Sequence, residues 1–351
     1  MLVSKKNFNN IKVHTQYSIC EGAIKIDDLA EYCRSNKIKC LGLADSYNLC
    51  GALEFSEKLS KVGTHPIIGT QINVKEHNII GKITLYAQTE EGFKNLTKLS
   101  SLSYLKSNGT DDPACRIIDL INNNKDLILL TGSYRDFFGK LFQANKHKNL
   151  EEIIYQIKTR YNDRIYFEIQ RHNEENEKNF ENYLLNISKT LKIPLIASQE
   201  VFYLKKDMYE AHDALTCIGE KHVIDDKNRF KFSDQHFLKK HEEIEKMYSD
   251  IPEALENNYN FYLRFSFKPK KSKPILPTVA NNQKNSPEEE LLKQANEGLD
   301  NRIYNFILKR DNSKTKDQIN KIYKDRLNHE INIINSMDYA SYFLIVSDYI
   351  K

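Results

Sequence analysis

The stretch NIKVHTQYSICEGAI, residues 10–24, holds an apolar run that ends at one histidine and then turns into small polar residues. The run has the short, β-branched character of a buried strand, and His14 stands where that strand would end. Spacing alone leaves two roles for His14, a metal ligand or an ordinary histidine at a strand end. A partner ligand would be expected two residues upstream, and Lys12 stands there instead.

Strand and helix patterns alternate from this stretch through the first two hundred residues. The segment IKIDDLAEYCRSNK has apolar residues at helical spacing, namely Ile26, Leu29, Ala30 and Cys33. NLCGALEFSEKLSKVG and TEEGFKNLTKLSSLSYLK predict further helices, and KCLGLADS, HPIIGTQINV, KITLYAQ, DLILLTG, RIYFEIQ and PLIAS predict strands. Repeated βα units indicate parallel strands, in an open doubly wound sheet or a closed barrel. About seven units without a G-x-G-x-x-G loop favour the barrel.

The composition is that of an ordinary soluble globular protein. Hydrophobic residues make up 40% and charged residues 28% of the 351, and the formal net charge is +4. The six cysteines form no Cys-x-x-Cys pair, which argues against a zinc ribbon and a disulfide framework. Free thiols, the lack of an apolar leader and apolar runs too short to span a bilayer predict a cytoplasmic protein without membrane segments.

The character of the sequence changes around residues 267–287, where Pro, Lys, Asn and Ser accumulate. This composition is typical of a linker, and its KPKKSK run is either a solvated connection or a contact to a phosphate backbone. Ser286, followed by Pro287 and Glu288, predicts the start of a helix. Helices are expected from there to the final YFLIVSDYIK, which has no helix stop and suggests that the natural chain continues.

Polar side chains follow each predicted strand, and in a parallel barrel these positions share one face. They are His14, Asp45–Ser46, Gln71, Thr131, Ser133, Arg171–His172 and Gln199–Glu200. Two histidines and two acids among them would suit Zn²⁺ or Mn²⁺, namely His14, His172, Asp45 and Glu200. Alternatively, the strands end in polar residues only because the chain reaches solvent there.

Eight segments resemble, in order, those of a known family: KVHTQYSICEGAIKIDDL, LGLADSYNLCGALEF, HPIIGTQINV, TEEGFKNLTKLSSLSYL, FEIQRH, PLIASQEVFYL, DIPEALENN and YFLIVSDYI. Together they resemble the N-terminal part of the alpha subunit of bacterial DNA polymerase III, the replicative C-family polymerase. The resemblance implies an α/β fold, with a distorted (β/α)7 PHP (polymerase and histidinol phosphatase) barrel over residues 1–275. A mostly α-helical segment would follow over residues 276–351, as the incomplete start of the polymerase palm and thumb region.

The resemblance implies template-directed DNA synthesis for the parent protein. In the family, a Gly/Ser-rich loop and an Asp-x-Asp pair in the palm bind Mg²⁺ and the incoming nucleotide. No Asp-x-Asp pair occurs in these 351 residues, so the chain alone is expected to be inactive. The expected partners are DNA, a proofreading exonuclease subunit and other replicase subunits.

The family pattern also bears on the candidate metal site. Active PHP domains have His-x-His on the first strand, Asp-His after the second, Glu on the third and Asp-x-His near PLIASQEVFY. This chain departs from that pattern at Lys12, Ser46, Gln71, Glu200 and Phe202. The remnant set His14, Asp45, His172 and Glu200 is expected to be vacated, although Zn²⁺ or Mn²⁺ could still bind there.

Lys12 offers a replacement for the lost metal charge. Without a metal, Asp45 and Glu200 would be two carboxylates close together and partly desolvated, which is costly. We therefore predict a salt bridge from the Lys12 ammonium to Asp45 or Glu200. An ammonium that points to solvent would contradict this hypothesis.

The sequence leaves three functions open. The chain is part of a DNA polymerase, or a free-standing metal-dependent PHP phosphoesterase, or a structural module that docks an exonuclease subunit. His14, Asp45 and His172 favour the phosphoesterase, whereas Lys12, Ser46 and Phe202 argue against it. The first and third functions are compatible with each other, and metal content distinguishes the second.

Overall fold

A curved sheet of nine strands forms the framework of the N-terminal part of the chain. The computed structural model describes residues 7–107, 112–272, 286–310 and 315–350. The chain divides into two compact units, Met1–Lys271 and Ser272–Lys351. The strands belong to the first unit: β1 (Asn10–Val13), β2 (Cys40–Leu43), β3 (His65–Glu76), β4 (Ile79–Ala87), β5 (Ala114–Cys115), β6 (Leu127–Leu130), β7 (Ile165–Ile169), β8 (Leu195–Ala197) and β9 (Glu200–Val201).

The order of hydrogen-bonded strands shows that the sheet curls on itself. The order is β8-β7-β6-β4-β3-β2-β1-β9, with β5 beside β3. The two ends of this path, at Ala197 in β8 and Glu200 in β9, are joined by only two residues. Three peptide steps reach at most about 11 Å, so the two edges lie side by side. The predicted distorted α/β barrel is therefore confirmed.

Strand β4 runs antiparallel to both of its neighbours, β3 and β6. This corrects the arrangement of parallel strands predicted from the βα alternation. The two residues between β3 and β4, His77 and Asn78, have φ angles of 49° and 61°. Two consecutive positive φ values form a tight hairpin, which leaves no room for the crossover that parallel strands require. The start of β4 therefore lies at the end of the barrel where the parallel strands finish, which we call the carboxyl face.

Helices of the first unit bury one apolar side, as their spacing predicts. In α1, the four predicted residues Ile26, Leu29, Ala30 and Cys33 are all buried. The helices are α1 (Ile26–Asn36), α2 (Ala52–Lys61), α3 (Glu90–Leu105), α4 (Ile117–Asn122), α5 (Phe137–Gln143), α6 (His147–Tyr161), α7 (Glu177–Leu191), α8 (Tyr209–Glu220), α9 (His241–Met247) and α10 (Pro252–Phe261), with 3₁₀ turns at Lys206–Met208 and Tyr262–Arg264. Within the described ranges, none of the helices has the length and apolar character needed to cross a membrane.

A bulge in β1 determines which side chains enter the barrel. Asn10 pairs with Leu41 of β2 and Val13 pairs with Leu43, so β1 has one more residue than β2 over this interval. Such an extra residue interrupts the alternation of side chains between the two faces. Ile11 accordingly packs with the barrel interior, whereas Val13 packs in the cluster that contains α1 and α2. Lys12 lies between them and is completely buried.

The residues after α10 are attached to the barrel. The Ser266 backbone N–H donates to the carbonyl of Gln88 at 3.1 Å. The Ser56 hydroxyl of α2 donates to the carbonyl of Pro269 at 3.2 Å. The start of the predicted linker is thus held in place, while residues 273–285 lie outside the described residues.

The second unit consists of helices in its described residues. The first begins where predicted, because the Glu289 N–H donates to the Ser286 hydroxyl and caps the helix. The helices are α11 (Pro287–Arg302), which continues through a π-helical turn at Ile303–Ile307 into α12 (Leu308–Arg310), then α13 (Lys316–Ser336) and α14 (Ala340–Ile350). The mostly helical segment predicted after the barrel is therefore confirmed.

Candidate functional site

A buried lysine surrounded by three carboxylates lies inside the barrel. Lys12 on β1 is paired in register with Glu200 on β9. The Lys12 Nζ lies 3.4 Å from Asp136 Oδ2, 3.6 Å from Glu168 Oε2 and 3.5 Å from Glu200 Oε1. We call these four residues the lysine cluster. One of the two partners predicted for Lys12, Glu200, is thus in ion-pair contact with it.

The charge of Lys12 is fixed by its three acidic neighbours. Burial by itself lowers the pKa of an ammonium group, because the charged form loses its hydration. The negative charges of Glu168, Glu200 and Asp136 outweigh this and raise the pKa of Lys12 above its ordinary value. Lys12 is therefore a permanent positive charge within the barrel.

Glu200 connects the lysine cluster to Gln71 and His14. Its Oε1 accepts a hydrogen bond from Gln71 Nε2 at 2.8 Å and lies 3.1 Å from His14 Nε2. Burial raises the pKa of Glu200, but Lys12 and His14 oppose this and hold it well below its ordinary value. Glu200 therefore stays ionised at neutral pH.

Glu168 depends on Lys12 more strongly. Its Oε1 accepts hydrogen bonds from the Ser198 hydroxyl and from Gln170 Nε2. Its Oε2 faces Lys12 and accepts no hydrogen bond from any described residue. Burial raises the pKa of Glu168 despite the opposing charge of Lys12. Loss of the ammonium would therefore leave this carboxylate buried without compensation.

Asp45 follows β2 and is bonded to residues of the loop after β1, not to Lys12, in the described structure. Its carboxylate accepts hydrogen bonds from the Thr15 N–H at 2.6 Å, the Thr15 hydroxyl at 2.8 Å and the Ser18 hydroxyl at 2.7 Å. Burial raises the pKa of Asp45, and these donors oppose the rise. Asp45 thus belongs to the same region, but both of its oxygens are already used by protein donors.

The two predicted histidine ligands both contact Glu200. His14 stacks on Phe202, with ring centroids 4.3 Å apart. His172 Nε2 accepts a hydrogen bond from the Glu200 N–H at 3.3 Å, and its ring stacks on His236 at 3.9 Å. Burial and the neighbouring His236 hold the pKa of His172 well below its ordinary value, so His172 is neutral. The structure therefore brings His14, His172 and Glu200 together.

A second lysine that the sequence pattern does not reveal also reaches this region. The Lys82 Nζ lies 2.8 Å from both carboxylate oxygens of Glu21 and 3.0 Å from the Ser46 hydroxyl. Residues at strand ends identify a carboxyl face only when the strand is parallel. Because β4 is antiparallel, Lys82 near its start lies at this face, and the pattern misses it.

Asp136 and Glu168 were also absent from the predicted site. Asp136 precedes α5, in a loop with no distinguishing pattern. Glu168 has a usable signal, because it is a single charged residue inside the buried apolar strand IYFEI. Lys12 has the same signal inside NIKV, where every residue is buried. Isolated charges in buried strands rarely occur without a partner. An ion pair between Lys12 and Glu168 could therefore have been predicted from the sequence.

A cavity of about 460 Å³ opens beside the lysine cluster. Asp136 and Glu200 contribute to its wall, whereas Lys12 does not line it. Its other lining residues include Glu21, Tyr47, Lys82, Arg135, His172, Glu174, Phe202, Phe230, Phe232 and His236. The cavity is therefore an acidic and aromatic cleft, with the Lys12 ammonium enclosed behind it.

Known proteins match both units of the chain. Residues 10–172 match the PHP domain family, and residues 289–351 match the family described as bacterial DNA polymerase III alpha NTPase domain. The chain is 34% identical over 354 residues to DNA polymerase III subunit alpha of Caulobacter vibrioides, a match that covers 99% of this chain. It is also 34% identical over 350 residues to the Rickettsia bellii protein of that name, covering 98% of this chain.

Nearly the whole chain is therefore similar to part of DNA polymerase III subunit alpha. It spans 30% of the length of the Caulobacter protein and 29% of the Rickettsia protein. Among solved structures, a two-domain protein from Bacteroides vulgatus with a predicted PHP-like metal-dependent phosphoesterase matches with a TM-score of 0.38 and 10% identity. That match covers 68% of this chain and 62% of the other, and we draw nothing about activity from it.

A divalent cation does not fit the arrangement found in this barrel. The oxygens of Asp45 accept hydrogen bonds from the protein, and the Lys12 ammonium stands among the other acids. Throughout the described ranges, no group of three or more His, Cys, Asp or Glu side chains is placed to hold a metal ion. The vacated remnant site of His14, Asp45, His172 and Glu200 stays a prediction.

Proposed function

We propose that the first unit of this chain is a non-hydrolytic PHP barrel that supports a DNA polymerase. The observation that carries the proposal is the completely buried Lys12, with its ammonium within 3.6 Å of three carboxylates. A divalent metal in a hydrolase lowers the pKa of a bound water and so supplies the nucleophile. An ammonium group offsets part of the same negative charge, but it is not a Lewis acid and cannot activate a bound water. The barrel would thus keep a positive charge among its acids and lose hydrolysis.

For the whole protein we propose template-directed DNA synthesis in chromosomal replication. The names of the relatives and the match of residues 289–351 support this proposal. Residues 276–351 would form the start of the palm and thumb region, after a PHP domain over 1–275. The Asp-x-Asp pair that holds Mg²⁺ in the family's palm is not among these 351 residues. All six cysteines are free thiols, which supports the cytoplasm as the site of action.

The proposed partners are DNA, a proofreading exonuclease subunit and other replicase subunits. Their support is the similarity of the chain to DNA polymerase III subunit alpha. A barrel without hydrolytic activity would contribute by docking such a subunit and by stabilising the polymerase.

A metal-dependent PHP phosphoesterase is the alternative function. His14, Asp45 and His172 are retained and support it. Lys12 argues against it, because its ammonium holds the acids that a metal would need. Ser46 and Phe202 argue against it as well, because neither the hydroxyl nor the phenyl ring replaces a ligating imidazole.

Primer extension tests the proposed role in DNA synthesis. The purified 351-residue chain is incubated with a primed template, the four deoxynucleoside triphosphates and Mg²⁺. It is expected to add no nucleotide, whereas a longer protein that joins this chain to a palm with the Asp-x-Asp pair is expected to extend the primer. Extension by the 351-residue chain itself, or failure of the longer protein to extend, would contradict the proposal.

A further inference from the structure

A second ion pair lies beside the lysine cluster and is built in a similar way. The Lys82 ammonium contacts both oxygens of Glu21 at 2.8 Å and donates to the Ser46 hydroxyl at 3.0 Å. Its Nζ also lies 5.1 Å from the centroid of the Tyr47 ring, a cation–π distance. The side chains of Lys82 and Glu21 are 19% and 26% exposed, so this pair is more accessible than Lys12.

A chain of polar contacts links the two lysines. The Ser46 hydroxyl lies 2.5 Å from Glu21 Oε2 and 3.4 Å from Gln71 Oε1. The Gln71 amide then donates to Glu200 Oε1 at 2.8 Å. Glu200 contacts Lys12, so Gln71 connects the pair of Lys82 with the lysine cluster.

We propose that Lys82 is a second internal counter-cation of the barrel, and that Lys82 and Lys12 together close its carboxyl face to external divalent cations. This inference rests on the proposed role of Lys12 and adds a second position to it. Each ammonium takes the place among the oxygen donors that a cation from solution would otherwise occupy. The two places are joined through Ser46, Gln71 and Glu200.

The physical consequence concerns the acids left behind when Lys82 is removed. Removing one partner of a buried or partly buried ion pair leaves an uncompensated charge, which destabilises the fold. Glu21 would then have the Ser46 hydroxyl as a neighbour but no cation. Mn²⁺ prefers oxygen ligands and would be drawn to the exposed carboxylate. A variant without Lys82 should therefore gain a response to Mn²⁺ that the natural chain does not have.

The test measures the melting temperature of the 351-residue chain with and without MnCl₂. A concentration of about 1 mM is used because it allows weak sites to bind the ion. Lys82→Met is expected to melt roughly 5 °C below the natural chain and to regain part of this loss in Mn²⁺. Lys82→Met/Glu21→Gln, which removes both charges, is expected to melt above Lys82→Met and to show no response to Mn²⁺. If Lys82→Met does not fold, Lys82→Gln serves in its place, because the amide still donates to Glu21.

Three results would overturn the inference. The first is an unchanged melting temperature in Lys82→Met. The second is an equal Mn²⁺-dependent rise of the melting temperature in the natural chain and in Lys82→Met. The third is an equal Mn²⁺-dependent rise of the melting temperature in Lys82→Met/Glu21→Gln. The last would mean that Mn²⁺ acts elsewhere. Lys12→Met in the same assay tests the role of Lys12 separately, so a failure at Lys82 leaves the proposed function standing.

Discussion

At the scale of single residues, Lys12 is the feature that distinguishes this barrel from the pattern of active PHP domains. Its role was predicted from the family pattern, which has a histidine at this position, and the structure places its ammonium 3.5 Å from Glu200, one of the two predicted partners. Asp136 and Glu168 were not anticipated, because their proximity depends on how distant strands and loops meet. Asp45 shows the opposite case, since it lies in the predicted region but is bonded to Thr15 and Ser18.

Replacement of Lys12 should destabilise the chain strongly. Lys12→Met keeps most of the side-chain volume but leaves three buried carboxylates without their cation. The free energy of unfolding is expected to fall by roughly 3–5 kcal/mol, as for other broken buried ion pairs. Urea denaturation followed by circular dichroism measures this change.

Lys140→Met provides the matched control for Lys12→Met. Lys140 is exposed, and its ammonium donates to the carbonyl of Ile80. Its replacement is expected to change the free energy of unfolding by less than about 0.5 kcal/mol, as for ordinary surface positions. Equal stability of Lys12→Met and Lys140→Met would show that the lysine cluster does not need its ammonium.

At the scale of elements, helix α10 fastens the N-terminal strand to the other edge of the sheet. Asn258 is completely buried. Its Oδ1 accepts from the Asn9 N–H at 2.8 Å, and its Nδ2 donates to the carbonyls of Asn9 and Ala197, each at 2.9 Å. One side chain thus connects the residue before β1 with the end of β8.

Asn258→Ala should therefore weaken the closure of the barrel. Three backbone groups would lose their partner in a buried place, at a cost of about 1 kcal/mol each. We expect a loss of about 2–4 kcal/mol in the free energy of unfolding, measured by urea denaturation. Asn260→Ala is the control, because the hydrogen bonds described for the Asn260 side chain go to Glu256 in the same helix. A loss no larger than that of the control would contradict the proposed connection.

At the scale of the whole molecule, the sequence predicts the barrel and the helical segment because periodicity reports which faces are buried. The direction of β4 was not predictable in the same way. Two-residue hairpins are usually signalled by Asn-Gly or Asp-Gly, whereas this one uses His77–Asn78. The antiparallel β4 in turn explains why Lys82 was missed, since its position at the carboxyl face depends on strand direction.

We propose that Lys12 stands in the barrel where active PHP domains hold a metal. Metal content tests it most directly. The 351-residue chain and the variant His172→Ala are incubated with excess Mn²⁺ and Zn²⁺ and then dialysed. The metal bound per chain is measured by inductively coupled plasma mass spectrometry. Both proteins are expected to retain the same substoichiometric amount of metal. One or more metal ions per natural chain, lost in His172→Ala, would contradict it.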